Sequence, residues 1–324
     1  GNFNNLIGMP LSLAKFKQNI DIGILELGMN CQGEIKKLSN ICLPDIALIT
    51  KISSAHIGNF GSLKDIALEK SEIFSGLNNS GTAILNDTDP YFSILKQKAK
   101  LYGIKKFIFF GKSKTSDVSL LKIEYKKNNK YKIYVSVYGK IIHFLLNDLA
   151  EHWIENSLAI ISVLSSFGQD PRLFSKEIKN FKAIQGRGKI LKINFNKKQF
   201  QIIDDSYNSS PESLSSSISF LHRYGFKKRK ICVLGDMYEL GKFSKKFHLS
   251  FKKNIKNNKI FKVYTIGKQM KILYDTLSLD VKGKHSGDLE ELFINLKELV
   301  KSNDIILFKG SRRMNLDKVI NKFK

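Results

Sequence analysis

Long hydrophobic runs are absent from the sequence. Lys, Asn or Asp interrupts each apolar stretch before it reaches the roughly 20 residues that a membrane-spanning helix needs. The opening residues, 1–10, have neither the charged start nor the apolar centre of a secretory signal, and there is no initiator Met. We therefore expect a cytoplasmic protein without membrane insertion, and a chain that begins inside a domain.

Cysteines are few. Cys31, Cys42 and Cys232 leave one thiol unpaired in any disulfide scheme, and their spacing is not that of metal ligands. This usage argues against a disulfide-stabilised or cysteine-ligated class and suits a reducing compartment.

Acidic residues are scarce relative to basic ones, since 29 Asp and Glu stand against 54 Lys and Arg and give a net charge of +25. Such a charge would suit a nucleic-acid-binding protein. The lysines are nevertheless spread with Asn and Ile through nearly every segment, without a groove-reading motif. We interpret the charge as a compositional bias that also attracts anionic substrates, and expect no nucleic-acid partner.

The sequence does contain a regular alternation of short β-rich runs and helical stretches. Its 324 residues, 42% of them hydrophobic, suffice for two cores, because domains commonly have about 100–200 residues. The alternation predicts an α/β protein with a mostly parallel sheet. The predicted elements of the first half are strands at 22–27, 46–49, 81–86 and 106–110, helices at 33–39 and 63–74, antiparallel strands at 120–125, 131–138 and 140–145, and a helix at 151–166.

A second alternating series begins after a predicted helix at 175–181 and the glycine-containing segment 185–188. Its predicted strands lie at 189–195, 201–204, 230–234, 262–266 and 304–308. We therefore predict two domains, 1–187 and 188–324.

Polar residues follow several predicted strands, at the edge where open parallel sheets place their ligands. Glu26 interrupts an apolar run, and a buried carboxylate is costly unless it is paired or bound to a cation. An ordinary ion pair explains Glu26 equally well. His56 and Lys70, taken singly, are typical of structural and solvated residues. As a set, a carboxylate and an imidazole would suit a divalent ion held between phosphate oxygens.

Other polar segments are less specific. The Asn-rich opening, 1–10, suits a polar sugar or peptide ligand but also an ordinary turn. Asp204 and Asp205 follow a strand and precede a helix, where carboxylates accept from a ribose or cap the helix. In the segments 233–241 and 308–312, Lys309 and Arg312 would suit a carboxylate or phosphate, or simply form a solvated loop.

Taken together, these segments resemble the Mur ligases. The matching strings are GNFNNLIGMPLSL at 1–13, ELGMNCQGEI at 26–35, AHIGNFGSL at 55–63, EKSEIFSGL at 69–77, HWIENSLA at 152–159, DDSYNSSPESL at 204–214, VLGDMYELG at 233–241 and KGSRRM at 309–314. They occur in the family's order, and three of them (GNFNN, DDSYN, GDMYELG) resemble the member that adds D-alanyl-D-alanine. The resemblance implies a central P-loop-type ATPase domain and a Rossmann-like C-terminal domain, preceded in the family by a UDP-sugar domain.

The family's phosphate loop, G-x-x-x-x-G-K-[ST], does not occur in this sequence. That loop supplies backbone amides and a lysine around the phosphates. We therefore expect this chain to be inactive by itself, as a truncated protein or a decayed remnant. Gly58 also stands where relatives often have Glu, so a carboxylate near the metal is expected to be lost.

The resemblance implies roles for individual residues. Glu26, His56 and Lys70 would hold Mg²⁺, with Lys70 matching the lysine that many members carbamylate. Asn156 would reach the adenine of ATP, Arg187 its phosphates and Asp205 its ribose. Lys70, Arg187 and His56 would be the catalytic residues. Further candidates for the nucleotide, the muramoyl-peptide or the dipeptide are Asn2, Asn4, Asn5, Tyr207, Asn208, Lys309, Ser311 and Arg312.

The implied reaction activates the carboxylate of UDP-N-acetylmuramoyl-tripeptide with ATP. The amine of D-alanyl-D-alanine then attacks the acyl phosphate, in an enzyme expected to be monomeric. The alternatives are a related ligase of the folylpolyglutamate or single-amino-acid-adding kind, and a non-catalytic basic protein that binds nucleic acid.

Overall fold

The structure is a computed structural model that describes residues 3–78, 80–126, 130–147, 151–181 and 183–324, apart from the side chains of Glu151 and Asn180. The chain divides into two compact units, Gly1–Lys179 and Asn180–Lys324. None of the helices in the described ranges combines the length and the apolarity that crossing a bilayer requires.

The N-terminal unit contains a six-stranded mixed sheet in its described part. Its strands lie in sequence order: β1 (Ile46–Ile49), β2 (Thr82–Asn86), β3 (Lys106–Gly111), β4 (Val118–Lys126), β5 (Lys130–Val137) and β6 (Lys140–Asn147). The first three pairings are parallel, and β4, β5 and β6 pair antiparallel. The helices are α1 (Gly8–Ala14), α2 (Glu34–Cys42), α3 (Ile57–Phe60), α4 (Leu63–Ser71), α5 (Phe92–Leu101), α6 (Glu151–Ser166) and α7 (Arg172–Glu177), with 3-10 turns at Glu72–Gly76 and Ile178–Asn180.

Burial explains the parallel part of this sheet. Strand β2 is buried over most of its length, as expected for a parallel strand covered on both faces. The antiparallel strand β6 instead alternates exposed and buried residues, with Ile142, Phe144 and Leu146 facing the core. Helix α6 packs against β2, β3 and β4 and completes that core.

The C-terminal unit is a doubly wound sheet. Its strands are β7 (Lys189–Phe195), β8 (Lys198–Asp205), β9 (Lys230–Gly235), β10 (Lys262–Ile266), β11 (Lys282–Ser286) and β12 (Ile305–Lys309), in the order β11-β10-β9-β12-β8-β7. Only β7 and β8 pair antiparallel among these strands. The helices are α8 (Pro211–Tyr224), α9 (Ser244–Asn257), α10 (Lys268–Thr276), α11 (Leu289–Leu299) and α12 (Leu316–Asn321), with 3-10 turns at Gly241–Phe243 and Arg312–Met314.

The predicted α/β class, with a mostly parallel sheet and a small antiparallel section, is confirmed. One predicted strand is wrong, because residues 22–27 form no strand. Ile22 and Ile24 are exposed, and the neighbouring edge strand β1 pairs only with β2 among the described strands. An apolar run becomes a strand only where a partner satisfies its backbone groups. The predicted helix at 175–181 is also misplaced, since α7 spans Arg172–Glu177.

Candidate functional site

The first polar cluster joins the two ends of the segment 4–28. Asn4 donates from Nδ2 to Glu26 Oε1 at 2.9 Å, and Gly28 N donates to Asn4 O at 2.7 Å. A Cβ added to Gly28 would lie 2.7 Å from Asn4 Nδ2, so only glycine permits this approach. Glu26 is exposed, so the expectation of a buried carboxylate is wrong for this residue. Asn4 lies against Glu26, and the structure therefore brings the strings at 1–13 and 26–35 together.

Lys70 lies on helix α4, and the buried Glu69 beside it holds that helix in position. Glu69 accepts from Gly33 N at 2.8 Å and from Ile35 N at 3.0 Å, which ties α4 to the start of α2. Lys70 Nζ donates to Lys51 O at 3.1 Å. Burial lowers the pKa of Lys70, while the carboxylates of Asp89 and Glu26 oppose that shift. The negative charge of Glu26 thus acts on Lys70, although the Lys70 ammonium itself bonds the backbone of Lys51.

Asp89 was missed by the sequence reasoning. This buried carboxylate accepts from Ile52 N at 2.8 Å and from Tyr91 N at 2.8 Å, and it lies near Lys70. It thus fixes the segment after β1 while it provides negative charge beside the lysine. The available clue was its position in Asn86-Asp87-Thr88-Asp89, directly after a buried strand.

His56 and Asn156 lie on separate elements of the same unit. His56 has φ 66° and precedes α3, a left-handed conformation that is uncommon for a residue other than glycine. Asn156 is exposed on α6, next to Glu155, whose carboxylate lies 3.4 Å from Lys51 Nζ. Within the described residues, no three His, Cys, Asp or Glu side chains converge in the way that a protein-only metal cage requires.

In the C-terminal unit, the Arg187 loop is held by the segment that follows β8. Asp204, fully buried, accepts from Gly186 N at 3.1 Å, and Tyr207 N donates to Gly186 O at 3.1 Å. The guanidinium of Arg187 lies 4.0 Å from the centre of the Tyr207 ring. The sequence predicted a ribose contact or a helix cap for Asp204, but not this bond to a backbone group 18 residues earlier in the chain.

Lys309 and Asp205 form a buried ion pair beside this loop. Their Nζ and Oδ2 atoms are 2.8 Å apart, and Lys309 also donates to Asn208 O at 2.9 Å. Burial lowers the pKa of Lys309, Asp205 opposes this, and nearby Arg187 adds to the lowering. Ser217 donates to the same Asp205 oxygen at 2.5 Å. These contacts bring the predicted residues Arg187, Asp205, Asn208 and Lys309 together at the carboxyl ends of β8 and β12.

Ser311 lies where the loops after β9 and β12 meet. Its backbone N donates to Asp236 O at 3.0 Å, and its hydroxyl accepts from Tyr238 N at 2.8 Å. The loop 236–241 lines a cavity of about 420 Å³ with Gly267 and Gln269. Arg312 is exposed and pairs with Asp317 at 3.2 Å.

The remaining candidates are at the start of the chain. Asn5 Oδ1 accepts from Gly8 N at 2.8 Å and from Ile7 N at 3.2 Å, which caps the turn leading into α1. Asn2 lies outside the described residues.

Each unit thus presents charged side chains near the carboxyl edge of its parallel strands, the edge at which open α/β sheets commonly place their ligands. Residues 1–164 match the family described as Mur ligase middle domain, and residues 186–312 match the Mur ligase, glutamate ligase domain. The chain belongs to the Mur ligase family.

Named relatives match along the whole chain. It is 31% identical over 326 residues to UDP-N-acetylmuramoyl-tripeptide--D-alanyl-D-alanine ligase of Rickettsia prowazekii, covering 100% of this chain and 71% of that protein. The protein of the same name in Bacillus subtilis is 32% identical over 323 residues, covering 99% of this chain and 68% of that protein.

Two solved structures share the fold. MurF from Acinetobacter baumannii has a TM-score of 0.87 and 24% identity, covering 100% of this chain and 69% of that chain. MurF ligase from Thermotoga maritima in complex with ADP has a TM-score of 0.83 and 26% identity, covering 100% of this chain and 71% of that chain. The expected fold class, a Mur ligase central domain followed by a Rossmann-like domain, is therefore confirmed.

Proposed function

We propose that this chain supplies two domains of an ATP-dependent ligase that joins D-alanyl-D-alanine to UDP-N-acetylmuramoyl-tripeptide, and that without a phosphate loop it is inactive by itself. The names of the relatives support this reaction. The main structural support is that family strings far apart in sequence lie in contact, since Asn4 bonds Glu26 in one unit and Lys309 bonds Asp205 in the other. We also propose that the functional boundary lies between 187 and 188, and that the enzyme is monomeric and cytoplasmic.

The chemistry requires activation of a carboxylate, which is a poor electrophile. Transfer of the γ-phosphoryl group of ATP to the tripeptide carboxylate forms an acyl phosphate and ADP. The dipeptide amine then attacks the carbonyl carbon, the carbon–oxygen bond to phosphate breaks, and the amine loses a proton. Arg187 would offset charge on the transferring phosphoryl group with its guanidinium. This role is supported by the fixed position of its loop, which Asp204 and Tyr207 hold. Asp205 would accept from the ribose, and Asn156 would contact the adenine.

Lys309, Ser311, Arg312, Tyr207 and Asn208 are proposed to contact the nucleotide or the dipeptide. The polar groups of Lys309 and Ser311 lie at the end of β12, which supports this assignment. The opening asparagines, Asn2, Asn4 and Asn5, are proposed to lie on the muramoyl-peptide side. For Asn4 the contact with Glu26 also couples that side to the proposed metal site.

Mg²⁺ is proposed to bind at Glu26 and His56, with Lys70 beside it. The donor set fits, because Mg²⁺ usually takes one or two carboxylates together with waters and substrate phosphates rather than an all-protein cage. When bound, Mg²⁺ would neutralise charge on the phosphates. The ammonium of Lys70 cannot be a ligand, so Lys70 would contribute an oxygen only as a carbamate.

The reaction is tested with the protein expressed from its complete reading frame. ATP, Mg²⁺, UDP-N-acetylmuramoyl-tripeptide carrying heavy oxygen in its terminal carboxylate, and D-alanyl-D-alanine are incubated together. We expect pentapeptide product and transfer of one heavy oxygen to inorganic phosphate, because the acyl phosphate retains a carboxylate oxygen. Pentapeptide product without heavy oxygen in the inorganic phosphate would exclude the acyl-phosphate intermediate. Faster ligation of a single amino acid or of glutamate than of the dipeptide would favour the related ligases instead.

The metal assignment is tested separately. Glu26→Gln and His56→Ala should each raise the Mg²⁺ concentration needed for half-maximal ligation. For the more conservative variant, Glu26→Gln, the ligation rate at saturating Mg²⁺ should change little. A half-buried carboxylate of the same unit, Glu72→Gln, serves as a control, since Glu72 accepts from the Tyr102 hydroxyl at 2.7 Å and is not among the proposed metal ligands. Normal ligation by His56→Ala at limiting Mg²⁺ would exclude His56 from the metal site.

A further inference from the structure

A buried histidine in the C-terminal unit is not among the residues proposed to contact the substrates. His248 lies on α9 and is fully buried. Its Nε2 lies 3.1 Å from Met237 N, and its Nδ1 lies 2.8 Å from Ser244 O. The backbone N–H of Met237 can only donate, so Nε2 must be the acceptor, and Nδ1 must hold the hydrogen that faces the carbonyl. The ring is therefore neutral, in agreement with burial lowering the pKa of His248.

The loop that His248 fixes links several strand ends. Met237 lies between Asp236 and Tyr238 in the loop that follows β9. The Asp236 carboxylate accepts from Gln269 N at 3.2 Å and Met270 N at 2.7 Å, at the start of α10. The same residue's carbonyl accepts from Ser311 N at 3.0 Å. His248 therefore holds the central peptide of a loop that connects β9, α10 and the segment after β12.

The loop also orients a side chain that the proposed reaction uses. Ser311 Oγ accepts from Tyr238 N at 2.8 Å, and Ser311 is buried. A hydroxyl that accepts one backbone N–H still has its own hydrogen to donate, and the accepted bond restricts where that hydrogen points. Tyr238 N is one peptide away from the N–H that His248 fixes, so a shift at Met237 also moves the donor to Ser311.

We propose that His248 is a positioning residue for substrate binding, which acts through the Met237–Tyr238 peptide to set the direction of the Ser311 hydroxyl. This role rests on the proposed ligase function. In the loop His248 bonds the backbone N–H of Met237, and its effect on the reaction passes through Ser311. A small displacement of a binding group has large kinetic consequences, because binding geometry must be held to within fractions of an ångström.

The first experiment compares steady-state kinetics of four variants of the protein expressed from its complete reading frame. Ser311→Ala identifies the substrate whose KM depends on the hydroxyl. His248→Leu, which loses both ring bonds, should raise the same KM about tenfold, the size of one lost buried hydrogen bond. His248→Gln should restore most of it, because an amide both accepts from Met237 N and donates to Ser244 O. Phe251→Leu, a buried change on the same helix, should leave all KM values within about twofold.

A double variant separates positioning from general destabilisation. If His248 acts through Ser311, adding His248→Leu to Ser311→Ala should raise that KM no further. Multiplying effects, or a different substrate's KM rising in His248→Leu, would overturn the proposal, as would equal effects of His248→Leu and Phe251→Leu.

A readout without activity keeps this inference distinct from the proposed function. Amide hydrogen exchange at Met237 and Tyr238 should be about tenfold or more faster in His248→Leu than in Phe251→Leu, and slower again in His248→Gln. Unchanged exchange at both amides would overturn the positioning role. Absence of ligation in the unmodified protein, with the exchange pattern as expected, would instead count against the proposed function.

Discussion

At the scale of single residues, two glutamates in the N-terminal unit make the same kind of contact at different depths. Glu69 is buried and accepts from Gly33 N and Ile35 N. Glu34 is only half-buried and accepts from Asn30 N and Cys31 N. An acceptor removed from a buried N–H leaves a desolvated donor, whereas an exposed N–H turns to water.

We therefore predict that Glu69→Ala destabilises the N-terminal unit by about 2 kcal/mol and Glu34→Ala by less than about 1 kcal/mol. Trp153, the single Trp of the sequence, lies on α6 in that unit and reports its unfolding in urea by fluorescence. Equal losses of stability in the two variants would show that burial does not control the strength of these contacts.

His248 also makes the stability of the C-terminal unit depend on pH. Its folded-state pKa is lowered by burial, so below the ordinary histidine value of about 6.5 the unfolded chain takes up a proton that the folded unit does not. Stability is then fully present above about pH 6.5 and is lost as the pH falls, by up to about 1.4 kcal/mol per pH unit.

This loss is measured by amide exchange in β9 and β10 at about pH 7.5 and 5.5, corrected for intrinsic exchange rates. The two pH values lie about one unit above and below the ordinary pKa of histidine. We expect His248→Gln to reduce the slope. His285, whose pKa is also lowered by burial, should supply the remainder, and His285→Gln should reduce it further. A slope that both variants leave intact would assign the pH dependence to other groups.

At the scale of elements, short apolar runs between helical stretches were enough to place most strands, because a parallel strand that is covered on both faces must be apolar. Strand β9, buried throughout, is such a case. Strand β11 was not predicted, since Lys282–Ser286 is polar and lies at the sheet edge with β10 as its only described neighbour. The strand predicted at 22–27 is wrong for the opposite reason. These residues have the composition of a strand, but no described strand pairs with them.

Some residues of the candidate site could likewise be predicted from the sequence, and others could not. Residues at the carboxyl ends of strands, such as Asp205 in β8 and Lys309 in β12, could be found because parallel strands bring these ends together. Glu69 and Asp89 could not be given roles, since each bonds a backbone N–H more than 30 residues away in the chain. A sequence pattern records which side chains are polar, but the backbone groups that they bond are set by tertiary packing.

Gly28 links two elements, and we predict that Gly28→Ala reduces activity more than stability. The added methyl group would displace Asn4, which lies within 2.8 Å of that position, and would break the bond from Asn4 to Glu26. Ligation at limiting Mg²⁺ should fall about tenfold, as for one lost hydrogen bond to a charged group. Trp153 fluorescence in urea should show little change.

Two controls accompany that variant. Gly287→Ala meets only an ordinary contact at 3.5 Å and should behave like the unmodified protein. Asn4→Ala in the Gly28→Ala background should raise the Mg²⁺ concentration needed for half-maximal ligation little further, because the shared bond to Glu26 is already lost. If Gly28→Ala ligates normally at limiting Mg²⁺, the Asn4–Glu26 contact has no role in the reaction.

At the scale of the whole molecule, the net charge of +25 should act on substrates according to their own charge. Long-range attraction raises the association rate of anions and is screened by salt over about 8–10 Å at physiological ionic strength. ATP and UDP-N-acetylmuramoyl-tripeptide are polyanions, whereas D-alanyl-D-alanine is a zwitterion with no net charge at neutral pH. We predict that kcat/KM for the two anions falls as KCl is raised, while kcat/KM for the dipeptide changes little.

Raising the KCl concentration also distinguishes electrostatic attraction of substrates from a nucleic-acid function. Scattered lysines neutralise DNA phosphates without specificity, so binding to arbitrary duplex DNA should be weak and should fall with a steep slope against salt. Because ligation depends on contacts within the site as well as on steering, it should persist at salt concentrations where DNA no longer binds. DNA binding that survives at those concentrations and inhibits ligation competitively with ATP would indicate that the basic surface has a nucleic-acid ligand after all. An equal salt dependence for the dipeptide and the two anions would mean that salt perturbs the fold, and that the charge does not guide substrates.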